Sequence, residues 1–304
     1  MCLVAIAIDQ SRRFPLVVAA NRDESFARPA ARLAWWTPRP GGPQILSGRD
    51  LDAGGTWLGL NAAGRLACVT NVRSPAPKDL DAPSRGRIVT DWLTGAERPD
   101  RFWMRTALSG HNRFNLVAAD LAAGECFWAT NDGSLPLRLE RGLYGLSNGA
   151  LDAPWPKTEA LRARAREALA SESLDPLADA PFAALADRSV APDEALPDTG
   201  VPLEVERQLS PAFIRSEDGR YGTRCSTLVI AERVGRTLVT HMVERSFLPD
   251  GTPSLQRHAV LRNWPPRPGD GTETAVEASP VTEREVVPGM TLATTRRRRE
   301  PTAA

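Results

Sequence analysis

Long apolar runs are missing from this 304-residue chain, as are closely spaced cysteine pairs, while lysine is scarce and neither charge is in marked excess. The most apolar stretch near the start, Leu3 to Ile8, is cut off by Asp9 and has no basic region before it. It is too short for a membrane span or a signal core, so no export or anchoring segment is read there. Of 38 lysines and arginines only Lys78 and Lys157 are lysine, and the net charge is +1. That balance supplies no field to draw in nucleic acid or an anionic membrane, and with Ala and Pro also frequent the arginine excess reflects base composition. Cys2, Cys68, Cys126 and Cys225 form no C-x-x-C pair, and His111, His241 and His258 share no spacing of a metal or haem site. The thiols are therefore read as reduced and the protein as cytosolic, with no cofactor required.

What remains is an ordinary globular composition, 42% hydrophobic and 25% charged, which is enough for a sizeable core. Short apolar segments at Leu3 to Ile8 and Pro15 to Ala20 read as a hairpin. Antiparallel pairing would then carry Asn21, Arg22 and Asp23 back to Cys2, because the end of the second strand lies opposite the start of the first. Pro29 to Pro43 reads as a Trp- and Pro-rich loop, followed by a hairpin of Thr56 to Asn61 and Arg65 to Asn71. Helices are expected from Ser84 to Leu93 and from Pro99 to Leu108. Strands follow at Phe114 to Asp120, Glu125 to Thr130, Leu135 to Glu140 and Gly142 to Ser147.

A helix pair covers Pro154 to Ala186, broken near Asp175-Pro176, and an exposed Pro- and acid-rich connection runs from Val190 to Pro202. Cys225 to Glu232 and Thr237 to Arg245 form the last clear strand pair. After Leu248 no periodicity is sustained, so residues 1–248 are expected as one domain and 249–304, ending near the run Arg296 to Arg299, as a disordered tail. Hairpins punctuated by helix pairs indicate an α+β fold of antiparallel sheets covered by helices.

Two motifs fail on context. Gly54-Gly55-Thr56 continues into a strand, not into a helix through Gly-Lys-Ser, so a hairpin or a close backbone approach is favoured over a phosphate loop. Gly145-Leu146-Ser147-Asn148-Gly149 has the letters of a nucleophile elbow, but Ala150 to Pro156 makes a loop where the elbow needs a helix. Cys2 differs from both because its position carries chemistry. Once Met1 is removed, one residue holds a thiol and an α-amine of reference pKa about 7.7–8.0, a nucleophile with its own base. On composition alone an ordinary second residue remains the alternative.

The stretch Ala19-Ala20-Asn21-Arg22-Asp23-Glu24 resembles the signature of the NRDE family, also called the transport and Golgi organisation family. The resemblance extends through Gly48-Arg49-Asp50-Leu51, Gly54 to Gly59, Thr70-Asn71, Phe114-Asn115-Leu116, Leu146-Ser147-Asn148, Pro154-Trp155-Pro156-Lys157 and Tyr221 to Thr227, covering about residues 1–247. It implies a four-layer αββα sandwich like that of the N-terminal nucleophile hydrolases of the penicillin V acylase and bile salt hydrolase type. The matching site would be Cys2, Arg22, Asp23, Asn71, Asn148 and Arg224, acting on an amide or thioester of a small acyl compound. Arg224 is expected to bond Asp23 or a substrate carboxylate. Because neighbours in a strand face opposite ways, Asp23 is favoured over Arg22 as the residue facing Cys2. The resemblance also implies an alternative, a carrier of haem or an acyl or lipid ligand in the same pocket, lined by Trp35, Trp36 and Trp57.

Overall fold

The computed structural model describes residues 2–266, 276–287, 290 and 292. In chain order the elements are β1 (Cys2–Ile8), β2 (Leu16–Ser25), β3 (Ala30–Trp36), β4 (Ile45–Asp50), β5 (Leu58–Asn61), β6 (Arg65–Asn71), α1 (Gly86–Thr94) and α2 (Pro99–Ala107). The chain continues through β7 (Phe114–Asp120), β8 (Glu125–Thr130), β9 (Leu137–Arg138), β10 (Gly142–Leu146), α3 (Pro156–Ala168), α4 (Leu174–Leu185) and α5 (Leu203–Gln208). It closes with β11 (Tyr221–Val234), β12 (Thr237–Phe247), β13 (Pro253–Arg262), β14 (Glu277–Ala278) and β15 (Thr282–Glu285).

The strands form two antiparallel sheets. One has the order β10-β1-β2-β11-β12-β13, with β14 and β15 both on β13; the other runs β3 to β9 in sequence order. Side-chain alternation divides each strand between two environments. On β1, Val4 and Ile6 join Val18, Leu60, Cys68, Val117 and Val229 in a core between the sheets. Leu3, Ala5 and Ala7 face the other way, against Leu161 of α3 and Leu177 and Phe182 of α4. Across the second sheet Val69, Phe114 and Leu116 pack under Ile88 and Trp92 of α1 and Phe102 of α2. Three apolar layers thus separate four layers of structure, and the fold is the αββα sandwich of antiparallel sheets.

Several expectations are corrected. Ala30–Trp36 is a strand, not a loop: Pro29, Pro38, Pro40 and Pro43 flank it, and pairing with β4, irregular between Ala31 and Ala34, makes it a sheet edge. Leu135 to Glu140 pairs only at Leu137–Arg138. The chain past Leu248 is no simple tail, since β13 pairs with β12 along almost its full length and carries Ala259 and Leu261 into the core. Its period-2 signal is weak because Arg257 occupies another inward position, in register with Glu244. The arginine run near the C-terminus lies outside the described residues. No helix among those described is long and apolar enough to cross a membrane.

Candidate functional site

One end of the sandwich gathers the polar strand ends. Cys2 pairs across from Arg22 on β2, and Arg22 pairs in turn with Cys225 on β11. Directly opposed residues share a face, so Cys2, Arg22 and Cys225 all point between the sheets. A cavity of about 590 Å³ opens there, lined by Cys2, Arg22, Asp23 and Asn71, with Trp57 and Arg85 also on its wall. The Arg22 guanidinium lies 4.3 Å over the Trp57 ring, and its Nη2 is 3.9 Å from Asp50. The glycine-rich turn contributes a close approach: a Cβ on Gly55 would sit 2.4 Å from the Gly86 carbonyl carbon, and Thr56 N–H donates to Gly86 O at 3.2 Å. That contact holds the start of α1 against the cavity.

The two asparagines are coupled. Asn148 is fully buried and its Nδ2 donates to the Asn71 backbone O (2.9 Å) and Oδ1 (3.1 Å). With Oδ1 so engaged, the Asn71 amide has its Nδ2 left for the cavity it lines. Ser147, set aside as an elbow serine, donates its hydroxyl to the Cys2 carbonyl at 3.0 Å, while Thr70 Oγ1 donates to Ser147 O at 2.7 Å. No helix begins until Pro156. The Ser147-Asn148 pair therefore braces Cys2 and Asn71.

Arg22 and Asp23 diverge as strand alternation requires. Asp23 turns to the helix-covered side, where Thr223 Oγ1 donates to its Oδ1 at 2.7 Å. It still lines the nucleophile cavity because Cys2 is the first residue of its strand and Asp23 lies one step beyond it. The expected preference for Asp23 over Arg22 is thus too exclusive: Arg22 is the direct cross-strand neighbour. Burial raises the Asp23 carboxyl above its ordinary value, and the Lys157 ammonium and the Thr223 hydroxyl oppose that rise. Burial also raises the Cys2 thiol, and the Asp23 charge adds to it. Lys157 is buried, donates to Leu209 O at 2.7 Å, and is pushed down to about 8 by desolvation against the pull of Asp23.

Arg224 stands apart from this group. The register slips between Thr223 and Cys225, and at that bulge Arg224 Nη1 donates to Ser25 O (2.6 Å) and Arg28 O (2.9 Å) with its guanidinium over Phe26. The position expected to bond Asp23 is filled by Thr223. Nor do the three tryptophans converge: Trp57 is on the cavity wall, Trp36 stacks with Arg49 and packs under α1, and Trp35 lines a separate cavity beside Pro43. Lys157 and Arg85 were missing from the expected set. Lys157 has two sequence signals, the scarcity of lysine and its place in the block Pro154-Trp155-Pro156-Lys157; Arg85 has none.

A family model described as Transport and Golgi organisation 2 matches residues 1–249. The Transport and Golgi organization protein 2 homolog of Homo sapiens is 32% identical over 273 residues, covering 82% of this chain and 94% of that protein. The Mus musculus homolog is 30% identical over 276 residues, covering 83% and 95%. Among solved structures, a penicillin V acylase from Agrobacterium tumefaciens is 14% identical with a TM-score of 0.44, covering 83% of this chain and 84% of that one. A Caenorhabditis elegans N-acylethanolamine-hydrolyzing acid amidase ortholog is 13% identical with a TM-score of 0.40, covering 75% and 92%.

Proposed function

This chain belongs to the Transport and Golgi organisation 2 family, and from that premise we propose that it is an N-terminal cysteine hydrolase acting on an amide or thioester bond of a small acyl compound. One observation carries the reading: Cys2, the first residue of the interior strand β1, shares a cavity with Arg22, Asp23 and Asn71. After loss of Met1, Cys2 Sγ attacks the acyl carbonyl and its proton passes to the α-amine. The amine then protonates the leaving amine or thiolate as the carbon–heteroatom bond breaks, leaving a Cys2 thioester. Water attacks that thioester, the amine taking a proton from the water and returning it to Sγ. Asp23 holds the amine when it is charged, and the Asn71 amide donates to the oxyanion.

The cavity wall supports this reading over a carrier of haem or lipid. It carries Arg22, Arg28, Lys78 and Arg85 together with Asp23, Glu24, Asp50, Asp52 and Asp79, and a flat apolar ligand would strip water from these charges without replacing it. Charges of both signs suit a polar substrate whose ends can pair with them.

Incubation of the purified protein with an activated acyl ester should add one acyl mass to a chain lacking Met1, mapped to Cys2. Cys2→Ala should lose the adduct and at least about 10³-fold in turnover. Wild-type rates in Cys2→Ala across a panel of amides and thioesters, or an intact mass retaining Met1, would overturn the mechanism.

A further inference from the structure

A second cavity of about 450 Å³ lies on the far side of Arg22 from Cys2, and its charge is one-sided. Arg22, Arg32, Arg224 and Arg257 line it, with Glu244 as the acidic residue among its walls. Burial raises the Glu244 carboxyl toward its neutral form, and Leu33 N–H donates to its Oε1 at 2.7 Å. Arg257 is fixed by Glu283 (2.6 Å) and Leu33 O (3.0 Å). Arg224 is fixed by the two carbonyls of the β2 turn, which absorb hydrogen bonds but no charge. Arg32, exposed on the edge strand β3, has no hydrogen bond or ion pair among the described residues.

Arg22 itself is only 5% exposed, and its Nη1 has no hydrogen-bond partner among the described residues. A buried guanidinium N–H without an acceptor bears its desolvation cost uncompensated, so the site is complete only when an acceptor enters. Arg22 and Trp57 line both this cavity and that of Cys2, and their stacked side chains form the partition between the two.

We propose that this four-arginine cavity is an anion subsite, taking a carboxylate, sulfonate or phosphate at the end of the ligand remote from its acyl bond. The binding itself is independent of catalysis; only the attachment of the anion to a scissile acyl bond rests on the preceding proposal. Guanidinium forks match such oxygens in pairs, and an elongated ligand passing the Arg22–Trp57 stack would set its acyl carbon beside Cys2.

Calorimetric titration of full-length Cys2→Ala protein with inorganic phosphate, and in parallel with acetate, tests this without turnover. Saturable binding of phosphate alone marks a doubly charged group; binding of both marks a site that a carboxylate satisfies; either supports the subsite. Arg32→Glu, an exposed change, should weaken the bound anion about tenfold. Arg12→Glu, exposed at the opposite end of the sandwich, makes the same change in net charge and should leave the affinity unaltered. The proposal falls if neither anion saturates, or if Arg12→Glu weakens binding as much as Arg32→Glu. If the anion binds as expected while wild type takes no acyl group at Cys2, the subsite stands and the hydrolase reading falls.

Discussion

The two ends of the sandwich are built from the same strands and have opposite character. At one end β1, β2, β6 and β11 present Cys2, Arg22, Asp23, Asn71 and Arg224, and two cavities open between the sheets. At the other the same sheets are tied together by Trp264, wholly buried, whose Nε1 donates to Asn61 O at 2.6 Å while Thr240 donates to its carbonyl at 2.8 Å, and cavities of about 440 and 630 Å³ flank that tie. Strand interiors give a continuous apolar core from end to end, so chemistry is placed by the terminal one or two residues of each strand. A strand can exchange those for polar residues at little cost to the core, whereas the Trp264 end anchors the frame that keeps them in register.

Trp264→Ala is the strongest test of that division. Truncating a fully buried tryptophan should cost about 3–5 kcal/mol, and it also leaves the Asn61 carbonyl without its donor. Denaturant unfolding should report the loss, with acylation of the protein that stays folded close to wild type. A variant of unchanged stability would mean that β13 and its following Trp264 are appended to the fold and not part of it. Asn71→Ala addresses the open end: it should lower kcat about 10²–10³-fold, equivalent to roughly 2.7–4 kcal/mol, with KM and stability little changed. A kcat within threefold of wild type would place the oxyanion donor elsewhere.

How far the sequence discloses each end follows from what kind of information places it. Phe114–Asp120 and Glu125–Thr130 are read with their observed bounds because alternation and flanking turns define them locally. Cys2, Asn21 to Asp23 and Asn71 are legible as polar residues closing apolar strands. β13 is hidden because Arg257 interrupts its inward face in order to line the anion cavity. Only the Asp23 partner expected of Arg224 is overturned, because a one-residue bulge, invisible in composition, swings it to the β2 turn carbonyls and leaves Thr223 on Asp23. Asn148 is found, but not its role, which depends on Asn71 across 77 positions of sequence. Local pattern fixes strands; partners distant in sequence fix where an end residue points.

The Trp264 end has a titratable pair of its own, on the helix-covered face, and this allows the two ends to be separated by pH. His241 Nδ1 and His258 Nε2 are 3.1 Å apart, with stacked rings. Burial pushes His258 down to about 4, with His241 and Arg284 adding to the effect, and burial lowers His241 although Glu232 lies 3.9 Å from its Nε2. In the unfolded chain a histidine protonates near ~6.5. Between that value and about 4 the unfolded state therefore binds more protons than the folded one, so the stabilisation is complete above the unfolded pKa and is lost as pH falls through the window. Allowing for partial exposure and the coupling to His241, the loss should be about 2 kcal/mol. His258→Gln, which keeps a hydrogen-bonding side chain without the titration, should flatten the fall of unfolding free energy across that interval by this amount, read from denaturant unfolding at each pH. The pH profile of acyl transfer, set at the other end by the Cys2 α-amine and thiol beside Asp23, should not move. A displaced activity profile in His258→Gln would show that the frame transmits charge from the Trp264 end to the Cys2 end, and the division between them would fail.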